Sequence, residues 1–375
     1  MLKYFLMILT YFFWQIIHFV ISIFIDKIIP YQGFFAYPGT LKTFGLPKFI
    51  YSFANFDGVY YLKIAKDGYH QFEQAFFPLF PLLIRLVTFL TQNYLISGLL
   101  ISNLCFLFSL FLFKKYLKKI NQYSSWVFTF LFLFPTSFFF ITVYTESLFF
   151  VFLILFFYFF SQKKYFLAAI SSFFASLTRI NGVLLTIPFL ILIYKKMKDK
   201  KISLTLFLYP LITVLGLAFY MVYLLKTTGD PLLFLNSQKV FGANRSTNLI
   251  FLPQIYFRYF KIFFTASFNF QYFVAGLEFF IFNLVFFVLV FDFLNALKEK
   301  NQNLLALNLF SVANLILPTL TGTFSSITRY SLLSLSFFLF ISRIKSKAIK
   351  IILIIIFSTL HLILFGFYLQ GYFIG

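Results

Sequence analysis

Apolar runs close to membrane-spanning length follow one another along most of this chain. A helix needs about 20 predominantly apolar residues to cross about 30 Å of hydrocarbon. Hydrophobic residues make up 61% of the 375-residue sequence and charged residues only 11%, so few polar side chains are available to cover a soluble surface. The sequence therefore predicts an all-α polytopic membrane protein with a single membrane domain over 1–375.

Short clusters of basic residues between the apolar runs set the predicted topology. The formal net charge of +21 would also suit a nucleic-acid-binding protein, but short clusters between spans are typical of the positive-inside rule. We therefore predict no nucleic-acid partner. With the clusters in the cytoplasm, the N-terminus lies inside, the C-terminus lies outside and there are about eleven spans. The predicted spans are 4–25, 95–113, 125–142, 146–161, 165–178, 182–194, 203–225, 271–291, 304–320, 329–343 and 348–369.

Two segments have alternative interpretations. The short runs 165–178 and 182–194 form either two spans or a re-entrant pair, and both choices keep the same topology. The segment 76–90 is apolar but interrupted by two prolines and an arginine. A span there would place the next lysine cluster outside, so we predict a helix lying in the membrane interface. Two long outer loops result, at 26–94 and 226–270.

Polar residues that are unusual in a membrane protein converge on the predicted outer face. The segment 53–81 alone holds three of the ten acidic residues. Ionisable groups at the edge of the hydrocarbon are candidates for function, so the convergence predicts one polar site at the outer boundary. The candidates are Asp57, Asp67, Glu73, Glu146, Arg179, Asp230, Gln238 and Arg329.

The acidic candidates also have purely structural interpretations. Taken alone, Asp57 before Gly58 is better explained as the N-cap of a following helix than as a catalytic base. Asp67 with Gly68 predicts the turn that ends that helix. Glu146 suits the helix dipole at the start of a span. Glu73 has two interpretations, either as a second acid or as the partner of a cation.

The remaining candidates are equally ambiguous one by one. Arg179 is suited to pair with Glu146 or to hold a phosphate through its planar fork. Asp230 lies in the sequence TGDP, which is typical of a turn, and Gln238 follows it. Arg329 suits either a snorkelling anchor or a second cation for a lipid phosphate.

Sequence motifs of the common cofactor-dependent classes are absent. The three histidines lie far apart in sequence and there is one cysteine, so no metal-ligand spacing is present. There is no Walker loop, no dinucleotide fingerprint and no Gly-x-Ser-x-Gly elbow. We therefore predict no metal and no cofactor, and an activated substrate that is lipid-borne rather than a nucleotide sugar.

Six motifs in a fixed order, between about 53 and 340, carry a family resemblance. They are FDGVYYLKIAKDGY, E-x-AFFPLFPLLIRL, PTSFFFITVYTESLF, SLTRINGVLL, TGDPLLFLNSQ and SSITRY. The ordered set resembles the PIG-V-type mannosyltransferases, the second mannosyltransferases of GPI-anchor assembly and their bacterial relatives. These belong to the GT-C class of membrane glycosyltransferases.

The resemblance implies a GT-C-like fold and an enzyme that uses a polyprenyl-phosphate sugar, commonly mannose, on the non-cytoplasmic face. The family's acidic residue in a Trp-Asp-type motif matches Asp57, and Phe56 replaces the tryptophan. Glu73, Glu146 and Asn181 lie in motifs that also match. The bacterial members differ in acceptor, so the GPI acceptor itself is not implied.

The residues and the resemblance together predict an inverting transfer. Asp57 would deprotonate the acceptor hydroxyl while Arg179 and Arg329 hold the departing lipid phosphate. Glu146 and Gln238 would position the sugar or the arginines. The predicted substrate-binding residues are Glu73, Glu146, Arg179, Asn181, Asp230, Gln238 and Arg329.

The predicted partners are the polyprenyl-phosphate sugar donor, a lipid or glycan acceptor and the surrounding membrane lipids. The richness in Phe, Ile and Lys is typical of an AT-rich bacterial genome. We therefore expect a bacterial plasma membrane protein whose active site faces outside.

A transporter or flippase for a lipid-linked or anionic solute is the alternative. Transporters tend to place polar residues near the bilayer midplane on broken helices. Here the polar residues cluster at one predicted boundary beside a long loop, which favours an enzyme. A non-catalytic scaffold, in which the acidic residues are only caps and dipole partners, is a third possibility.

Overall fold

The computed structural model describes residues 2–32, 37–241 and 245–374. Every regular element in these ranges is a helix, and they contain no strand, so the predicted all-α class is confirmed. The described chain forms two compact units, one from the described parts of 1–70, 78–154 and 351–374 and one from 71–77 and 155–350.

The helices of the first unit come from both ends of the chain. They are α1 Leu2–Phe24, α2 Tyr37–Lys42, α3 Lys48–Tyr51, α4 Asp57–Asp67, α5 Leu79–Thr91, α6 Tyr94–Lys119, α7 Ser125–Leu133, the first part of α8 Glu146–Ser161 and most of α18 Lys347–Leu369.

The second unit holds the rest of α8 and the intervening helices. These are α9 Tyr165–Thr178, α10 Thr186–Lys198, α11 Thr205–Thr228, α12 Leu233–Asn236, α13 Leu252–Thr265, α14 Phe270–Lys298, α15 Gln302–Ile316, α16 Ile327–Ser331 and α17 Leu335–Ser342.

Seven helical segments in the described ranges are long and apolar enough to cross a membrane. Each overlaps one of the predicted spans, and the chain is therefore a multi-pass membrane protein. The segments are Phe5–Lys27, Tyr94–Lys119, Ile180–Lys198, Thr205–Thr228, Phe270–Lys298, Gln302–Thr321 and Lys347–Leu369.

The other four predicted spans do not form long helices. The ranges 146–161 and 165–178 are apolar helices of 16 and 14 residues, α8 and α9. The ranges 125–142 and 329–343 are each interrupted, and their assignment as spans stays a prediction. The total of eleven spans stays a prediction.

A proline explains the interruption of 125–142. Pro135 disfavours the helical conformation of the residue before it, and Phe134 has φ −56° and ψ 140°. Helix α7 accordingly ends at Leu133. In hydrocarbon, the backbone groups freed by such a break must find partners within the protein.

Three carbonyl groups beside this break accept hydrogen bonds from side chains of the same unit. A hydroxyl, an indole N–H and an imidazole nitrogen supply them, so these three carbonyl groups have partners within the protein. The pairs are Ser137 with the Leu131 carbonyl, Trp14 with the Phe132 carbonyl at 3.1 Å and His361 with the Phe134 carbonyl at 2.9 Å.

The predicted outer loops contain short helices. The range 26–94 holds α2 to α5, and 226–270 holds α12 and α13; residues 33–36 and 242–244 within these loops lie outside the described residues. Helix α5 exposes Leu82 and Leu86. Its Arg85 Nε donates to the Ala65 carbonyl at 2.6 Å. At 13 residues, α5 is shorter than the about 20 residues that a span needs; its position in the interface stays a prediction.

Helices α9 and α11 of the second unit approach closely because the facing residues are small. The Ser176 hydroxyl of α9 donates to the Thr213 carbonyl of α11 at 2.8 Å. A Cβ on Gly216 would lie 2.1 Å from the Ser176 hydroxyl and 2.3 Å from the Phe173 carbonyl oxygen. Small residues with serine hydrogen bonds are typical of helix packing in membranes.

We expect Gly216→Ala to lower the free energy of unfolding by about 1–3 kcal/mol, because the added methyl group forces α9 and α11 apart. The control is Gly276→Ala in α14, where no described neighbour outside its own helix lies within 4 Å of the Cβ position. That change should be neutral or stabilising by up to about 1 kcal/mol through helix propensity. Unfolding in detergent micelles measures both, and equal effects would contradict the close approach.

Candidate functional site

The predicted site residues are divided between the two units. Asp57 and Glu146 belong to the first unit. The second unit contains the other six, and each unit has its own local arrangement. These six are Glu73, Arg179, Asn181, Asp230, Gln238 and Arg329.

Asp57 follows a residue with a strained backbone. Phe56 has φ 59° and ψ −115°, a region that costs a non-glycine residue about 1–3 kcal/mol and that is common at functional sites. Helix α4 begins at Asp57 itself, and Phe56 occupies the N-cap position. The interpretation of Asp57 as the N-cap is therefore wrong, although its carboxylate still lies in the favourable first turn.

Hydrogen bonds to neighbouring segments hold this strained turn. The Tyr144 hydroxyl donates to the Asn55 carbonyl at 3.0 Å and accepts from the Asp57 N–H at 3.3 Å. The Asn55 side-chain amide donates to the Tyr368 and Leu369 carbonyls at 2.9 and 3.2 Å. The end of α18 thus fixes the residue two positions before Asp57.

Ring packing and close backbone approach complete the turn. The Phe56 ring is buried, with its centroid 5.8 Å from that of Tyr368 and 5.4 Å from that of Phe373. A Cβ on Gly58 would lie 3.3 Å from the Val143 carbonyl oxygen. Only a small residue fits there without displacing the chain. The aromatic ring before Asp57 therefore has a packing role.

Two tyrosines lie near the Asp57 carboxylate. The Tyr37 and Tyr60 hydroxyl oxygens are 3.3 Å apart. The pKa of Tyr37 is raised by burial, by its contact with Tyr60 and by the negative charge of Asp57. Asp57 itself is half-buried. A half-buried carboxylate beside hydroxyl groups is suited to accept a proton from a substrate hydroxyl.

Glu146 and Glu73 are both buried acidic residues at the start of helical segments. Glu146 is the first residue of α8, which agrees with the helix-dipole interpretation. Glu73 begins the 3₁₀ segment Glu73–Ala75 of the second unit. The Tyr220 hydroxyl of α11 fixes that segment by donating to the Gln74 carbonyl at 2.7 Å. Substrate binding by these acids stays a prediction.

Three arginines of the second unit gather around Tyr330. The Arg179 guanidinium carbon lies 4.8 Å from the Tyr330 ring centroid, and that of Arg329 lies 6.0 Å away. The charges of Arg179, Arg329 and Arg245 all act on Tyr330. The two predicted arginines and Arg245 form an electropositive site, here called the arginine cluster.

Arg245 is not among the site residues predicted from the sequence. It donates to the Gln238 side-chain oxygen at 2.9 Å and to the Ser326 hydroxyl at 3.2 Å, which brings the predicted Gln238 to the cluster. The only available signal was a positive charge in the same polar loop as Gln238. Loop charges are common, so this signal was not selective.

A buried carboxylate holds the turn that precedes Arg329. Ser326 has φ 67°, the left-handed region, and its N–H donates to the Glu278 carboxylate at 2.9 Å. The Tyr259 hydroxyl donates to the same carboxylate at 2.8 Å and accepts from the Phe324 N–H at 3.0 Å. Sequence reasoning also missed Glu278, although an acidic residue inside an apolar span is a recognised signal.

Asn181 is linked to Tyr330 by hydrogen bonds through a second asparagine, Asn314. Its side-chain amide donates to the Asn314 side-chain oxygen at 2.8 Å, and Asn314 donates to the Tyr330 carbonyl at 2.9 Å. A Cβ on the adjacent Gly182 would lie 2.2 Å from the Ser176 nitrogen. Asn181 therefore positions the backbone of Tyr330 within the cluster.

The two remaining aspartates have local roles. The Asp230 carboxylate accepts from the Leu232 N–H at 2.8 Å and from the Asn236 amide at 2.7 Å, which is the predicted turn. Its role in substrate binding stays a prediction. Asp67 ends α4 and Gly68 follows with φ 89°, so the predicted helix-ending turn is confirmed.

Comparisons with known proteins identified no relative of this chain. No protein-family model, curated protein or solved structure matches the chain. The function must therefore be argued from the strained turn before Asp57 and from the arginine cluster. The first arrangement suits a general base, and the second suits an anionic group such as a phosphate.

We expect Glu278→Ala to lower the free energy of unfolding by at least about 2 kcal/mol. The change leaves two buried donors, Tyr259 and the Ser326 N–H, without their acceptor, and each such loss costs about 1–3 kcal/mol. The control is Glu299→Ala at the exposed end of the same helix, which should stay within about 0.5 kcal/mol. Equal thermal stabilities of the two variants in detergent would contradict this role.

Proposed function

We propose that this protein is a membrane glycosyltransferase of the GT-C class. It transfers a sugar, with mannose as the first candidate, from a polyprenyl-phosphate donor to a lipid or glycan acceptor on the outer face of a bacterial plasma membrane. The arginine cluster is the observation that carries this proposal. Guanidinium groups bind phosphate oxygens through paired hydrogen bonds, and a lipid-linked phosphate is the anionic substrate available within a membrane.

Asp57 is the proposed general base. Its support is the conjunction of a strained residue before it, a half-buried carboxylate and neighbouring hydroxyl groups. Strain of this kind is retained where the surrounding structure specifies it for function. The hydrogen bonds of Tyr144 and Asn55 provide that specification.

The proposed reaction is a single displacement. The acceptor hydroxyl oxygen attacks the anomeric carbon while its proton passes to the Asp57 carboxylate. The bond between the anomeric carbon and the phosphate oxygen breaks, and polyprenyl phosphate leaves with an additional negative charge. Guanidinium groups such as those of the arginine cluster stabilise a charge of this kind, because a low-dielectric site makes such interactions strong. The sugar is transferred with inversion.

The function is tested by incubating purified protein with polyprenyl-phosphate mannose and a crude acceptor pool. Release of free polyprenyl phosphate that depends on the acceptor supports the transferase. Movement of a lipid-linked or anionic solute across proteoliposomes without any such release would establish the transporter alternative instead. Identification of the glycan lost on deletion of the gene then names the product.

Asp57→Asn should reduce polyprenyl phosphate release by at least about 100-fold, since general-base catalysis contributes about 10²–10⁴-fold. Asp67→Asn, at the turn that ends the same helix, should retain most of the activity. Both variants should elute as the wild type does in size-exclusion chromatography. Wild-type turnover by folded Asp57→Asn would refute the assignment.

Arg179→Gln and Arg329→Gln should each weaken binding of polyprenyl phosphate by about tenfold or more, because a hydrogen bond to a charged group contributes about 1.5–3 kcal/mol. Binding of the neutral polyprenol should not change. Lys226→Gln removes the same charge from an exposed position of the second unit and serves as the control. Equal losses for phosphate and alcohol would show that the arginines act on folding instead.

A further inference from the structure

Helix α13 is too short to cross a membrane but lies next to a helix long enough to do so. Its 14 residues extend for about 21 Å, against about 30 Å of hydrocarbon. Only residues 266–269 separate Thr265 from Phe270, where the long helix α14 begins. An extended chain covers at most about 3.6 Å per residue, so the end of α13 lies within about 18 Å of the start of α14.

The outward side of α13 is a row of phenylalanines. Phe257, Phe260 and Phe264 lie three and four residues apart, which places them on one side of the helix, and they are 62%, 48% and 86% exposed. Ile255 and Tyr259 on the other side are buried. Burying a phenylalanine gains about 1.5–3 kcal/mol, so this exposed row requires an apolar partner.

A polar edge borders the phenylalanine row. Gln254, Lys261 and Thr265 are exposed, and at 100° per residue they lie together beside the row rather than within it. Phe268, in the connection to α14, is 88% exposed. One more exposed phenylalanine therefore lies between the row and the span.

We propose that α13 lies in the boundary between lipid headgroups and acyl chains, with Phe257, Phe260 and Phe264 in the acyl region. Its length, its polar edge and its short connection to α14 are those of an interfacial helix. The occupant of the exposed face is the bilayer rather than a second copy of the chain, because a connection of only four residues, 266–269, joins the row to a segment that is itself apolar and long enough to cross the membrane.

In this position, α13 holds a turn beside the arginine cluster at the lipid surface. Arg258 of α13 donates to the Gly322 carbonyl at 2.9 Å, and Tyr259 accepts from the Phe324 N–H at 3.0 Å. Gly322 has φ 91°, and a Cβ there would lie 2.5 Å from Arg258. Helix α13 thus holds the turn 322–326, whose Ser326 binds Arg245. The inference does not depend on the reaction proposed above.

Nitroxide labelling tests the position of α13. The chain has one cysteine, Cys105, so a C105S background allows single labels at F257C, F260C and F264C, with Q254C as the control on the polar edge. The protein is reconstituted in vesicles of phosphatidylethanolamine and phosphatidylglycerol. Collision rates with molecular oxygen, which enters lipid, and with a water-soluble nickel chelate are then compared for each label.

The three phenylalanine positions should show a higher ratio of oxygen to nickel collisions than Gln254. Rates dominated by nickel at all four positions would place the helix in water and overturn the proposal. Low rates with both reagents at the phenylalanine positions would show that protein covers the row, which also overturns it. The three phenylalanine labels give independent readings. If one variant fails to fold, the other two still test the position of α13.

Discussion

Backbone groups inside hydrocarbon must be hydrogen-bonded within the protein, and the arrangement of this chain follows from that requirement. The long apolar helices satisfy it internally. Where Pro135 ends α7, side chains take over, and one of them is His361 from α18. The other ring nitrogen of His361 lies 2.7 Å from a ring nitrogen of His18 in α1. The break in one helix is therefore a point of attachment between the two ends of the chain.

The same dependence on distant partners recurs at two of the turns in which a non-glycine residue has positive φ. Phe56 and Ser326 both have positive φ, and each comes shortly before a proposed functional residue, Asp57 in one case and Arg329 in the other. In the first unit, Tyr144 and α18 hold the turn. In the second, Glu278 holds it. Strain next to chemically important groups is common where the surrounding structure specifies a conformation.

Local signals in the sequence anticipated part of this arrangement. Hydropathy located the seven long helices, because an apolar run of sufficient length has few alternatives to a membrane helix. Charge and turn residues marked Asp57, Arg179, Gln238 and Arg329. Glu278 carried the signal of an acidic residue inside an apolar span, which was overlooked, and the loop charge of Arg245 was not selective. Their importance comes from contacts with Ser326, a residue 81 positions from one and 48 from the other, and no local pattern encodes such a separation.

The sequence by itself determined that the chain is an all-helical membrane protein, and it marked the polar residues that require an explanation. Tertiary structure decided their roles, because the same side chain caps a turn or faces a cluster according to its neighbours. Asp230 is satisfied within its own turn, whereas Arg179 and Arg329 meet at one tyrosine from positions far apart in the chain. Hydropathy is a local property that needs only a few consecutive residues, while a cluster of charges exists only once distant helices have packed.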